Sequence, residues 1–160
     1  MEPMSRSKRG AAVLALATAI AAPAEGLRQW AYRDPVGILT VCYGATGQGV
    51  EAGRKYSLDE CYDRLDDDMT LAIAIVEGCQ PGLPEPVLAA FADAVFNMGP
   101  TIACDRGKST AARMLATRQY DAACNQLPRW SYAKVAGVSV QLPGLVKRRE
   151  KERQLCLSRN

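Results

Sequence analysis

The sequence contains no histidine. A Ser-His-Asp triad, a Cys-His hydrolase and a His-ligated zinc amidase each need an imidazole as base or ligand, so none can be built from it. No CxxC pair occurs either, which argues against a zinc ribbon or a thioredoxin-like centre. Without an imidazole to activate a thiolate, a catalytic cysteine is disfavoured, and neither a metal nor another cofactor is expected. A long hydrophobic run is missing too. The uncharged stretch Gly10 to Ala24 would reach, as a helix, only about 23 Å against about 30 Å of bilayer hydrocarbon. At 160 residues the chain suits one domain that buries most of its apolar surface, with no room for a second module of comparable size.

What is present is unevenly spread. Six cysteines, at positions 42, 61, 79, 104, 124 and 156, fit disulfides formed in an oxidising compartment. About fifteen pairings are possible for such a set. Arg6, Lys8 and Arg9 precede the Ala-rich run, the pattern of an export element whose positive flank stays in the cytoplasm. The chain therefore divides into an N-terminal signal-anchor or export segment, residues 1–24, and a folded domain, residues 25–160. Ala22-Pro23-Ala24 resembles a cleavage site, but cutting there would leave Glu25 at the new terminus; cleavage after Ala17 would not. An uncleaved segment that inserts weakly and later leaves the bilayer is favoured over cleavage. An ordinary buried helix carries the least weight.

The formal net charge is +3. Asp59, Glu60, Asp63, Asp66, Asp67 and Asp68 crowd one segment, while Arg129, Lys134, Lys147, Arg148, Arg149, Lys151 and Arg153 make the last third basic. A basic surface can meet nucleic acid, anionic lipid or an acidic wall polymer, or can simply be a solvated helical face.

The stretch Glu25 to Thr46, EGLRQWAYRDPVGILTVCYGAT, carries the chemistry. Gly26, Leu27, Trp30, Ala31 and Tyr32 read as a short amphipathic helix with Glu25 in its first turn. Asp34-Pro35-Val36-Gly37 reads as a turn, and Ile38 to Tyr43 as a strand. Each residue has a bland role: helix-end carboxylate, turn initiator, strand hydroxyl. Together they meet the needs of glycosidic hydrolysis, which takes one carboxyl kept protonated for the leaving oxygen and a second group that manages water. Glu25 beside Trp30 and Tyr32 would be the desolvated acid; Asp34 in its polar turn would stay ionised, and Thr40 could hold the water.

The series Glu25-Gly26, Tyr32, Asp34, Gly37, Thr40, Gly44 and Thr46 resembles the signature of the phage-type lysozymes, and most closely lambdoid phage endolysins of the signal-anchor-release type. The resemblance spans residues 25–157. It implies Glu25 as general acid, Asp34 and Thr40 on the nucleophilic water, and peptidoglycan as substrate, cut at the β-1,4 bond between N-acetylmuramic acid and N-acetylglucosamine. Two positions depart from the pattern. Ala45 stands where many members have histidine, implying altered stability or pH response rather than lost function, and Cys42 stands where other branches have glycine. Some relatives activate by disulfide exchange with a cysteine in the anchor. No cysteine precedes Cys42 here, so release of the anchor would itself have to complete the cleft around Glu25.

The remainder suits that outline. Ser57 and Glu60 form a capping box, and Leu58, Cys61, Leu65, Met69, Ala72, Val76 and Cys79 recur at steps of three or four, giving one long helix to Gly78. Val87 to Met98 reads as a central buried helix ending at Gly99-Pro100. Ser109 caps a helix over Thr110–Thr117, and Tyr120–Leu127 is another. The resemblance implies sugar contacts for Phe96 and Gln126, a closing GLxxRRxxE helix from Pro143 whose positive face meets wall or membrane, and disulfides Cys42–Cys61, Cys79–Cys104 and Cys124–Cys156. The expected fold is α+β and lysozyme-like: a small β-hairpin lobe and a larger helical lobe, joined by a long helix, with the catalytic cleft between. Expected partners are peptidoglycan and, through residues 10–24, the inner membrane before release to the periplasm; no nucleic acid is expected, and the chain should be a monomer. The competing classes are a membrane-tethered peptidoglycan-binding protein without chemistry and an export-targeted membrane-permeabilising protein.

Overall fold

The computed structural model describes residues 6–159; the first five residues of the expected N-terminal segment lie outside that range. Helix α1, Arg6–Glu25, leads into a three-stranded antiparallel sheet in chain order, β1 Arg28–Arg33, β2 Leu39–Cys42 and β3 Ala45–Thr46. Helix α2, Leu58–Cys79, crosses from this small lobe to the helical lobe of α3 Glu85–Met98, α4 Thr101–Cys104, α5 Thr110–Ala116 and α6 Tyr120–Cys124. A 3-10 turn at Leu127–Arg129, the hairpin β4 Tyr132–Val135 and β5 Val138–Gln141, and α7 Pro143–Leu157 complete the chain.

Local chemistry sets these elements. The Ser57 hydroxyl accepts from the Glu60 amide at 3.1 Å while the Glu60 carboxylate accepts from the Ser57 amide at 2.9 Å, the reciprocal cap expected at the start of α2. Cys61, Leu65, Met69, Ala72 and Val76 form its buried stripe. Every residue of α3 from Val87 to Val95 is buried, because α1, α2 and α7 pack around it. Its alanines let those helices come close. The three disulfides are those the family resemblance implied: Cys42–Cys61 joins β2 to the first turn of α2, Cys79–Cys104 joins α2 to α4, and Cys124–Cys156 joins α6 to α7.

The structure corrects two expectations, at Glu25 and at Tyr120–Leu127, and adds detail to two others. Glu25 does not open a helix; it is the last residue of α1, and Gly26, at φ 71°, stops that helix by donating back to the Ala22 carbonyl at 3.1 Å. The residues after it form strand β1, paired with β2 through a bulge between Arg28 and Tyr32. The Ala-rich segment, given least weight as a buried helix, is packed into the core: Val13, Ala17, Ile20 and Ala21 are buried. Among the described residues no helix is long and apolar enough to cross a membrane. The helix expected over Tyr120–Leu127 stops at Cys124. The closing helix does not turn all its cations outward, since Arg148 and Arg149 are buried.

Candidate active site

A carboxylate at a helix C-terminus meets the negative end of the helix dipole and several unpaired carbonyls, so Glu25 needs a compensating cation. Arg148, on the second turn of α7, supplies it: its Nη1 donates to Glu25 Oε1 at 2.7 Å. The guanidinium is itself immobilised. Its Nε donates to Asp93 Oδ2 at 2.9 Å and its Nη2 to Asp93 Oδ1 at 2.8 Å, a two-pronged pairing with a fully buried carboxylate of α3. Burial by itself would lower the Arg148 pKa, but hydrogen bonds to Asp93 and Glu25 outweigh it and hold the side chain cationic above its ordinary value. Expected from sequence was an aromatic wall around Glu25. Instead Trp30 is 56% exposed and bridges to Lys55, and the Tyr32 ring lies under the Arg28 guanidinium.

Behind Arg148 the network continues. Arg149 Nη2 donates to Asn97 Oδ1 at 2.8 Å and to Glu152 Oε1 at 2.7 Å. Burial pushes the Arg149 pKa down, and burial, with the Asp93 carboxylate close by, pushes that of Glu152 well up. Among the described residues, Arg149 Nε and Nη1 and Glu152 Oε2 have no hydrogen-bond partner.

Glu25 faces an open groove of about 460 Å³ between the lobes. Gly44 and Thr46 line it from the sheet, Asp68, Leu71 and Ile75 from α2, and Phe96 and Asn97 from α3. Gly44, at φ 79°, is fitted to Glu25: a Cβ there would stand 3.1 Å from Glu25 Oε2. A second hollow of about 500 Å³ meets Glu25 and Asn97 from the other side, walled by Leu142, Lys147, Arg148 and Lys151.

Of the residues singled out by sequence, Glu25 and Phe96 come together in the groove. Asp34 sits at the hairpin turn, its Oδ1 accepting from the amides of Val36 at 3.0 Å and Ile38 at 2.8 Å. Thr40 is buried on β2, donates to the Ile38 carbonyl at 2.9 Å, and pairs across the sheet with Thr46, which does reach the groove. Gln126 precedes the 3-10 turn and is not among the groove-lining residues. Sequence reasoning missed Arg148, Asp93, Asn97 and Asp68. Only the RRxxE pattern of the closing helix hinted at the first. Asp68, read as part of a solvated face, lines the groove, where burial and then Asp67 push its pKa up.

A carboxyl held in place by a fixed arginine, in an open groove also lined by an aromatic ring and an amide, suits carboxyl chemistry on a polar polymer. The sequence profile described as "Phage lysozyme" matches residues 22–152. The chain is 39% identical over 134 residues to the SAR-endolysin of Bacteriophage PS119, spanning 83% of this chain and 76% of that protein. It is 36% identical over 134 residues to the SAR-endolysin of Enterobacteria phage P21, spanning 83% and 77%. Among solved structures, the active form of P1 phage endolysin Lyz superposes with a TM-score of 0.77 at 24% identity, over 97% of this chain and 94% of that one. The chain belongs to the phage lysozyme family.

Proposed function

We propose that this protein is an endolysin that hydrolyses the β-1,4 bond between N-acetylmuramic acid and N-acetylglucosamine in peptidoglycan. The observation that carries the reading is the placement of Glu25: a carboxyl at the groove wall, fixed by the buried Arg148–Asp93 pair. Glu25 acts as the general acid on the leaving glycosidic oxygen. Asp34 and Thr40, the roles carried by the family pattern, manage the attacking water from the hairpin, and Phe96 stacks against a sugar ring along the groove. Gln126 is a peripheral sugar contact in this reading. A binding protein without chemistry has no use for a carboxyl fixed in this way, so that alternative is not favoured.

The N-terminal segment has two placements in this scheme. During export, residues 10–24 tether the chain to the inner membrane. After release they dock as α1, and the last residue of the helix arrives against Arg148. Supporting this are the basic flank before the Ala-rich run, the burial of Val13, Ala17 and Ala21 on docking, and relatives that are named SAR-endolysins. The released enzyme works as a monomer in the periplasm.

The test is digestion of purified peptidoglycan followed by identification of the new reducing end. Reducing N-acetylmuramic acid is expected. Wall binding with no sugar released would leave a binding module in its place.

A further inference from the structure

The hairpin β4–β5 has no part in the groove, yet it is built with two unlike faces. Its register pairs Ala133 with Val140 and Val135 with Val138, and Tyr132 with Gln141 and Lys134 with Ser139. Directly opposed residues share a face of an antiparallel ladder, and alternate residues along a strand do too. One face is therefore Ala133, Val135, Val138 and Val140, all apolar; the other is Tyr132, Lys134, Ser139 and Gln141. Among the described residues the three valines of the apolar face are left exposed: Val135 is 51% exposed, Val138 61% and Val140 39%.

The hairpin is held at its base and free at its tip. Leu142 N donates to the Ser131 carbonyl at 3.1 Å and Gln141 Nε2 donates to Ser131 Oγ at 3.0 Å, with Ser131 fully buried. The turn residues Ala136 and Gly137, at φ 51° and 81°, form the tight hairpin turn that projects the valines. Cations flank the hairpin rather than its apolar face. Lys134 lies on the polar face of the hairpin, Arg129 just before it, and Lys147 and Lys151 one turn apart on α7, beside Leu142 at the base of the hairpin; all four are exposed and, among the described residues, their side chains make no ion pair or hydrogen bond. No acidic residue occurs from Ala122 to Arg149.

We propose that this hairpin is a docking surface for an anionic lipid bilayer, separate from residues 10–24. The pattern selects the occupant. An exposed apolar face on a hairpin whose own strands and flanking sequence from Ala122 to Arg149 carry cations and no acid matches a surface that offers negative headgroups above hydrocarbon. A polysaccharide or nucleic acid offers no hydrocarbon layer to valines, and a second copy would bring the same cations face to face. The valines insert at the headgroup boundary while Lys134, Arg129, Lys147 and Lys151 meet lipid phosphates.

The experiment is vesicle co-sedimentation of the full chain, with α1 untouched in every variant. Mixed phosphatidylcholine and phosphatidylglycerol vesicles are compared with phosphatidylcholine alone. Val135→Asp with Val138→Asp is expected to weaken binding to the mixed vesicles at least about tenfold, and Lys134→Gln about fivefold. Both losses should be absent on phosphatidylcholine alone. Thermal midpoints and far-ultraviolet circular dichroism establish that the variants are folded, independently of whether the enzyme reading holds. Variants that bind mixed vesicles as well as the parent would overturn the proposal. So would variants that lose binding to purified peptidoglycan instead of vesicles, or that convert a dimer to a monomer on gel filtration, since the face would then belong to wall or to a second copy.

Discussion

Arg148 donates to Glu25 across 2.7 Å of space and 123 positions of sequence. The contact exists only because α1 and α7 both pack on α3, so the carboxyl is located by tertiary docking rather than by its own local sequence. A site assembled this way is sensitive to anything that shifts α1.

Ala17, fully buried on α1, tests that dependence. Ala17→Leu overfills the packed core and should cost about 1–3 kcal/mol of stability. Because the same shift carries Glu25 away from Arg148, hydrolysis should fall by more than the unfolded fraction explains. Urea unfolding paired with turnover on peptidoglycan separates the two effects; a fully stable variant with normal turnover would show that α1 packing does not set the site.

Gly44→Ala probes the carboxyl directly. The new methyl group would press on Glu25 Oε2 at 3.1 Å, from a backbone at φ 79°. Displacement of the acid should lower kcat by about tenfold to a hundredfold, with about 1–2 kcal/mol of strain visible in thermal unfolding. An unchanged kcat in a folded variant would mean that Glu25 tolerates the shift.

Cys42 sits at φ 62°, a left-handed conformation that costs residues other than glycine. Removing the disulfide with Cys61, whose partners are 19 positions apart, should destabilise the protein by about 3 kcal/mol. With Cys61→Ala held constant, Cys42→Gly should lose about 1 kcal/mol less than Cys42→Ala. Equal midpoints in guanidinium would remove the backbone argument.

Glu152 gives a pH dependence with a definite sign. Burial, with the Asp93 carboxylate close by, raises its pKa well above 4.5 in the folded protein. The folded state therefore holds a proton that the unfolded state releases, and this contribution to stability is present below the unfolded value and lost as pH rises toward the folded one. Relative to Glu152→Gln, the parent should lose up to about 1.4 kcal/mol per pH unit through that window. Parallel stability profiles for the two proteins would contradict the shift.

Much of this was legible from local rules. The capping box at Ser57 and the stripe from Cys61 to Val76 identify α2, and the apolar run of α3, interrupted only by Asp93 between Val87 and Phe96, marks the centre of the core. The family pattern supplied the disulfide pairing that counting could not. Reading failed where short spacing was ambiguous: Leu27, Trp30 and Ala31 suit a helix or a strand, and the backbone at Gly26 decided it. The alternation in Val135-Ala136-Gly137-Val138-Ser139-Val140 contained the second hairpin, but with no Asn-Gly or Asp-Gly turn to announce it. Asp93 and Arg148 were beyond reach for a different reason. They stand 55 positions apart, and one lies in an apolar helix while the other belongs to a run of cations that reads as surface.

The most direct test of the whole scheme is the release of reducing ends from purified peptidoglycan by the full chain and by Glu25→Gln, at matched folded concentration. The parent should generate reducing N-acetylmuramic acid, and the variant should be slower by at least about a hundredfold while keeping its wall binding. A variant that cuts as fast as the parent would show that Glu25 is not the acid, whatever its place in the groove.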